Sequence, residues 1–322
     1  MTHTVTWQPD DEVPNLDRVI LASPSGLVAA FVPKAGMVGT SLTIDAVELL
    51  GRRGGLADYV EHAKTFGIPL LAPWANRLAH PAQSAAGKNW QVPPGAPGVH
   101  PDEFGQAIHG LLAGSDAWVV DDSNASDGQA YMSASLVFDD SLDVFDSFPF
   151  THTLTVKVTV ADTTVRIETS LHATGDDAVP VAFGWHPYFT FADTPRDSWL
   201  IETPFVQKAK LSEFKIPTGE IVDEPMSTGP LADRAYDDVY VQVPDGVRAS
   251  IAGRSYEVGV RYEQGYGTAV VFAPLTADVV CFEPMTAPTD PFGGTWPVIV
   301  VEPGDEYSAT FEIDVRRLID PS

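Results

Sequence analysis

Between Thr151 and Leu171 the chain reads THTLTVKVTVADTTVRIETSL, with its apolar side chains on every second residue. A period of two belongs to one face of a strand, whereas a helix spaces its apolar residues three and four apart. Val165, Ile167, Thr169 and Leu171 share one face, and the break at Ala161–Thr164 predicts two strands joined by a tight turn. Similar runs recur at 18–33, 130–139, 239–244, 267–275 and 307–315, separated by turn signals such as PSG, PDG, DDS and NASDG. Proline and glycine, 27 and 26 of 322 residues, are spread along the whole length, as many short strands joined by turns require. Helical periodicity is confined to ADYVEHAKTF, Ala57–Phe66. No fixed-period repeat, low-complexity tract or linker divides the chain. The expectation is an all-β fold, a large single-domain antiparallel β-sandwich over residues 1–322, with or without extra strands.

Charge and cysteine usage narrow the function classes. A formal net charge of −25 repels polyanions, so nucleic acid and anionic membrane are not expected partners. It also counts against a phosphorylated substrate unless arginines cluster locally. The one cysteine, Cys281, allows no intrachain disulfide and no cysteine-based zinc site. The N-terminal residues lack the basic and apolar regions of a signal peptide, and no apolar run approaches the roughly 18 residues of a membrane span. A cytoplasmic location is expected. No GxGxxG, phosphate loop or HExxH is present.

Of eight histidines, His3, His62, His80 and His100 lie in polar or proline-rich contexts that read as surface, and His152 and His172 lie in alternating strands as ordinary packed or exposed residues. Two remain. His186 sits in FGWHPYFTF, 183–191, where Pro187 cannot donate to a ladder and pushes the segment to a strand end. His109 precedes Gly110, which permits unusual backbone geometry or close approach of a ligand. Glu283, in VVCFEPMTAPTDPF, ends an apolar run, where a carboxylate is costly unless paired or hydrogen-bonded. Asp237 and Asp238 abut a strand in RAYDDVYV, where shaping a turn is the alternative. Asn76 and Arg77, in IPLLAPWANRLAH, offer planar donors suited to vicinal hydroxyls or a ring oxygen; taken alone, Arg77 is equally a partner for a surface acid.

In this order along the chain the motifs resemble the aldose 1-epimerase (galactose mutarotase) family. PWANRL is similar to its Asn–Arg motif, IHG to the segment of its first histidine, and WHPYF to the His-x-Tyr-Phe motif of its second. AYDDVYV fits the substrate-binding aspartate, with Asp237 the better aligned, and CFEPMTAPTDPF resembles the catalytic-glutamate segment in the branch that writes it Glu-Pro. The resemblance implies a galactose mutarotase-like supersandwich that interconverts the α and β anomers of a free hexose. It implies Glu283 as base, His186 as acid, and Asn76, Arg77, His109 and Asp237 as substrate-binding residues, with neither metal nor other cofactor. For this chemistry His186 is expected to be at least partly protonated while Glu283 is ionised. Trp74, Trp185 and Phe292 offer either a platform for a sugar face or core packing; Tyr188 and Phe189 read as packing.

Three other readings share these residues. A hexose-6-phosphate mutarotase would need basic side chains around the pocket, for which Arg52, Arg53 and Arg77 are the candidates. A non-catalytic carbohydrate-binding protein on the same scaffold would be expected to lack the acid and base. A metal-dependent β-barrel enzyme would use His109, His186 and Glu283 as two histidines and a carboxylate.

Overall fold

In the computed structural model, which describes residues 2–318, the alternating segments form antiparallel strands. The expected hairpin is His152–Ala161 paired with Thr164–His172, closed by a two-residue turn at Asp162 and Thr163. Asp162 takes φ 46°, the left-handed conformation that such tight hairpin turns favour. Every second side chain here is buried: Leu154, Val156, Val158 and Val160 on one strand, Val165, Ile167, Thr169 and Leu171 on the other.

Among the described residues this hairpin belongs to a nine-stranded sheet whose middle strand, Glu306–Arg317, lies between Thr164–His172 and Tyr256–Gln264. A second sheet of eight strands runs in the order Pro217–Asp223, Gln207–Leu211, Tyr236–Val241, Thr268–Ala273, Val280–Met285, Gly184–Trp185 and Leu70–Leu71. Its eighth strand, Tyr188–Phe189, pairs with Val280–Met285. The N-terminal segments add a five-stranded sheet, in which Asp17–Ala22 and Leu27–Val32 pair as neighbours. Apolar residues of all three large sheets, from Val19 to Val315, join one continuous buried cluster.

The two central strands of the eight-stranded sheet do not alternate. TAVVFA is buried at five of six positions and VCFEPM at all six. Ala269, Val271 and Phe282 face the main core, while Val270 and Glu283 face the other way. A continuous apolar run is what a strand covered on both faces requires. The second cover is what encloses Glu283.

The helix is Gly55–His62, starting earlier and ending sooner than the spacing of Ala57–Phe66 predicts. Ala63 turns left-handed at φ 53° and its N–H bonds the Tyr59 carbonyl, ending the helix. Tertiary contacts override propensity beyond it: Phe66 packs edge-on against Tyr59, and the Thr65 hydroxyl lies 2.6 Å from that of Tyr188. His62, His80 and His172 are exposed and His100 is half-buried. His152 is packed, stacked on Phe138 with Nδ1 2.8 Å from the Phe150 carbonyl. His3 departs from the surface expectation and is buried, since polar sequence neighbours carry no information about what folds over them. Among the described residues no helix is long and apolar enough to cross a membrane.

Candidate active site

The register of the eight-stranded sheet builds the site. Gly184 lies opposite Met285 and Tyr188 opposite Cys281, which sets His186 across from Glu283 on the same face. Glu283 in turn lies opposite Val270, and Asp237 opposite Phe272. Residues two apart share a face, so His186, Tyr188, Glu283, Val270, Phe272 and Asp237 project into one pocket of about 260 Å³. Pro187, with no N–H, sits where the ladder lapses between the two short pairings. The backbone instead ties outward: His186 N–H bonds the Pro69 carbonyl and Tyr188 N–H that of Gly67.

Two loops cover this face. Asn76 and His109 both adopt left-handed conformations, at φ 59° and 63°, and His109 N–H donates to the Asn76 carbonyl. Arg77 bridges Ile108 in the same ladder. Gly110, at φ 76°, lies so close to Ala72 that a Cβ there would fall 2.1 Å from the Ala72 carbonyl oxygen. This close approach locks the two loops together and delivers Asn76, Arg77 and His109 to the pocket.

At its centre, His186 Nε2 lies 3.2 Å from Glu283 Oε1 and 3.2 Å from the Tyr188 hydroxyl. The imidazole stacks on the Tyr188 ring at 4.3 Å and meets His109 edge to face at 5.5 Å. Glu283 Oε2, His186 Nδ1 and His109 Nδ1 are buried without a hydrogen-bond partner. Unpartnered polar atoms are expensive in a dry interior, and a pocket that binds polyols can satisfy them. Burial pushes the Glu283 carboxyl well above the usual carboxylate range; the Asp237 charge adds to this and Arg77 opposes it. Burial holds the His186 imidazolium well below its usual range, reinforced by His109 and Arg53. His109 is pushed down to about 3 by burial, with Arg77 and Arg53 adding to the effect. Burial therefore opposes the expected imidazolium and carboxylate; the expectation weighed the mutual attraction of the pair but not its desolvation.

Arg77 is itself buried and holds one buried and one exposed acid. Its Nε donates to Asp102 Oδ2 at 2.6 Å, one Nη to Asn76 Oδ1 at 3.2 Å and the other to Glu103 at 3.3 Å, and the Asp102 side chain is only 1% exposed. Arg77→Met leaves that carboxylate buried and unpaired, so unfolding by denaturant is expected to show a loss of about 3 kcal/mol. Adding Asp102→Asn is expected to restore part of it.

The structure brings all six sequence-derived site residues, Asn76, Arg77, His109, His186, Asp237 and Glu283, into this one pocket. Asp238 points elsewhere and pairs with Lys208 at 3.0 Å. Trp74, Trp185 and Phe292 are core residues. Sequence reasoning missed Thr65 and Phe272, named Arg53 only as a possible phosphate contact, and gave Tyr188 packing alone. The spacing of two between His186 and Tyr188 was the available signal for the last. Arg53 donates to the Thr65 carbonyl at 3.2 Å and the Tyr188 hydroxyl at 3.1 Å, whereas Arg52 lies outside and pairs with Glu12. Among the described residues no three His, Cys, Asp or Glu side chains are grouped to hold a metal ion.

Fold and site together define an antiparallel supersandwich protein with a carboxylate and an imidazole opposed in a small polar pocket. The family model for aldose 1-epimerase matches residues 20–314, and the chain belongs to that family. The uncharacterized protein YihR of Escherichia coli K12 is 25% identical over 256 residues, covering 77% of this chain and 79% of that protein. A galactose mutarotase-like protein from Clostridium acetobutylicum superposes with a TM-score of 0.85 at 15% identity, covering 98% of this chain and 99% of that one. Galactose 1-epimerase from Lactobacillus acidophilus gives 0.78 at 12% identity, with 98% and 99% covered. At these identities the structural likenesses establish the galactose mutarotase-like fold.

Proposed function

We propose that the chain, acting as one domain, is a mutarotase that interconverts the α and β anomers of an unphosphorylated free aldose. The observation that carries this reading is the Glu283–His186 pair, opposed at 3.2 Å on the floor of the pocket. Family membership supports an isomerase acting on sugars. The single buried cysteine fits a reducing, cytoplasmic setting.

The pair shares one dissociable proton between its two sites, and burial favours Glu283 as its holder. A sugar hydroxyl donating to Glu283, together with the Arg77 charge, draws the balance toward carboxylate and imidazolium. Glu283 then removes the proton from the C1 hydroxyl; the C1–O1 bond becomes a carbonyl, the C1–O5 bond breaks, and O5 takes the proton from His186. Rotation about C1–C2 presents the other carbonyl face, and the same two groups reverse roles to close the ring. Asn76, Arg77, His109 and Asp237 hold the ring oxygen and hydroxyls.

Of the two guanidinium groups lining the pocket, Arg77 is already paired with Asp102 and Glu103, and Asp237 adds a further acid. That balance disfavours a phosphate dianion, so optical rotation assays are expected to show faster turnover of glucose or galactose than of glucose 6-phosphate. The reverse order would establish the phosphosugar reading and its use of Arg53.

The pH profile tests the shared proton. A second proton must go onto His186, whose affinity for it burial has lowered. The acid limb of kcat/KM is therefore expected below the roughly 6.5 of an ordinary histidine. An acid limb at or above that value would contradict the assignment.

A further inference from the structure

We propose that the apolar groove beside the sugar pocket is a second sugar subsite, and that the preferred substrates are reducing disaccharides or longer reducing glycans. This deepens the mutarotase reading and rests on it for turnover. Two loops of the same build flank the groove. In one, Asp102 Oδ1 accepts the N–H groups of Phe104 and Gln106; in the other, Ser212 Oγ accepts those of Phe214 and Ile216. Each loop is further closed by a backbone bond across its ends, Asp102 N–H to the Gln106 carbonyl and Ser212 N–H to the Ile216 carbonyl. Each thus fixes a phenylalanine two residues after its anchoring oxygen, and the rings meet edge to face at 5.7 Å.

Both rings stay substantially exposed, Phe104 at 42% and Phe214 at 49%, and they line a groove of about 510 Å³, larger than the sugar pocket. Two large exposed aromatic side chains held together by rigid loops mark a contact surface better than a pair of chance exposures. The same loops reach the sugar pocket. Glu103 lines that pocket while its neighbour Phe104 lines the groove; Lys215, between Phe214 and Ile216, pairs with Asp237 at 3.3 Å. Asp102 carries the first loop and also holds Arg77.

A substituent leaving the bound ring past Glu103 and Lys215 therefore arrives at Phe104 and Phe214. A pyranose has an apolar C–H face suited to such rings and hydroxyls on its edges. The groove offers the hydroxyls the side-chain amide oxygen of Gln106, Oε1, which is buried without a partner. The mutarotation chemistry is undisturbed, because it needs only the free anomeric carbon of the reducing ring.

The test has a binding arm and a turnover arm, each comparing glucose with maltose and cellobiose, and galactose with lactose. By titration calorimetry at least one disaccharide is expected to bind about tenfold more tightly than its monosaccharide. The double variant Phe104→Ala/Phe214→Ala is expected to abolish that advantage while leaving the monosaccharide Kd and its kcat/KM unchanged. Equal binding of mono- and disaccharide by the wild type, or equal losses for both in the double variant, would overturn the subsite. Tighter binding of a 6-O-acyl hexose than of any disaccharide would overturn the glycan assignment. If the binding pattern holds but neither sugar turns over, the subsite stands and the mutarotase reading fails.

Discussion

Glu283→Gln is expected to lower kcat for mutarotation by about 10²–10⁴-fold while sugar binding persists. The substitution keeps the shape and hydrogen-bonding capacity that reach His186 Nε2 at 3.2 Å, but it removes the group that carries the proton. Its effect on stability separates a catalytic role from a structural one. Glu283 is 1% exposed, its second oxygen has no partner, and burial strongly disfavours its charge. A neutral amide escapes that cost, so the denaturation midpoint is expected to hold or rise as activity falls. A variant that loses stability and activity in parallel would instead make Glu283 a structural residue. Polarimetry and a urea titration on the same preparation give both readings.

Gly110→Ala is expected to be the most damaging single methyl group in the chain. Its Cβ would stand 2.1 Å from the oxygen and 2.4 Å from the carbon of the Ala72 carbonyl, both backbone atoms, at a φ of +76° that disfavours any side chain. Relief requires moving the His109–Gly110 segment off the Ala72–Arg77 segment, which carries three of the proposed binding residues with it. The expected cost is about 4 kcal/mol or more, in the range reserved for steric and strain defects. Gly95→Ala is the control: its φ is +80°, but a Cβ there meets nothing within 4 Å. It is expected to lose only about 1–2 kcal/mol, the left-handed penalty alone. Similar losses at the two positions would contradict the account of how the loops are joined.

The contrast between those glycines shows where sequence reading stops. That Gly110 follows His109 was legible as a place for unusual backbone geometry; that Ala72 is the atom group it spares was not, because the two are brought together only by the fold. Strands were legible where one face meets solvent, as in His152–Ala161, since alternation records the burial directly. The strand carrying Glu283 is covered on both faces, so its run predicted burial without saying which face held a pocket. Register resolved what spacing left open: Asp237 lies opposite Phe272 and faces the pocket, and Asp238 therefore faces away. The Arg77–Asp102 pair joins residues with no periodic relation, and chemistry alone could not choose Asp102 among so many acids. Burial works against the protonation expected for His186, and the sequence could not show this because the depth of burial is a property of the assembled sheets.

The central claim is that an opposed carboxylate and imidazole open and close a sugar ring. Polarimetry on freshly dissolved α-glucose and α-galactose tests it most directly, with Glu283→Gln as the control. The account predicts that the wild-type protein speeds the approach to anomeric equilibrium for at least one unphosphorylated aldose or its reducing disaccharide, and that the variant stays near the buffer rate. Rotation decaying at the buffer rate with the wild-type protein on every such sugar, or an undiminished rate with Glu283→Gln, would contradict it.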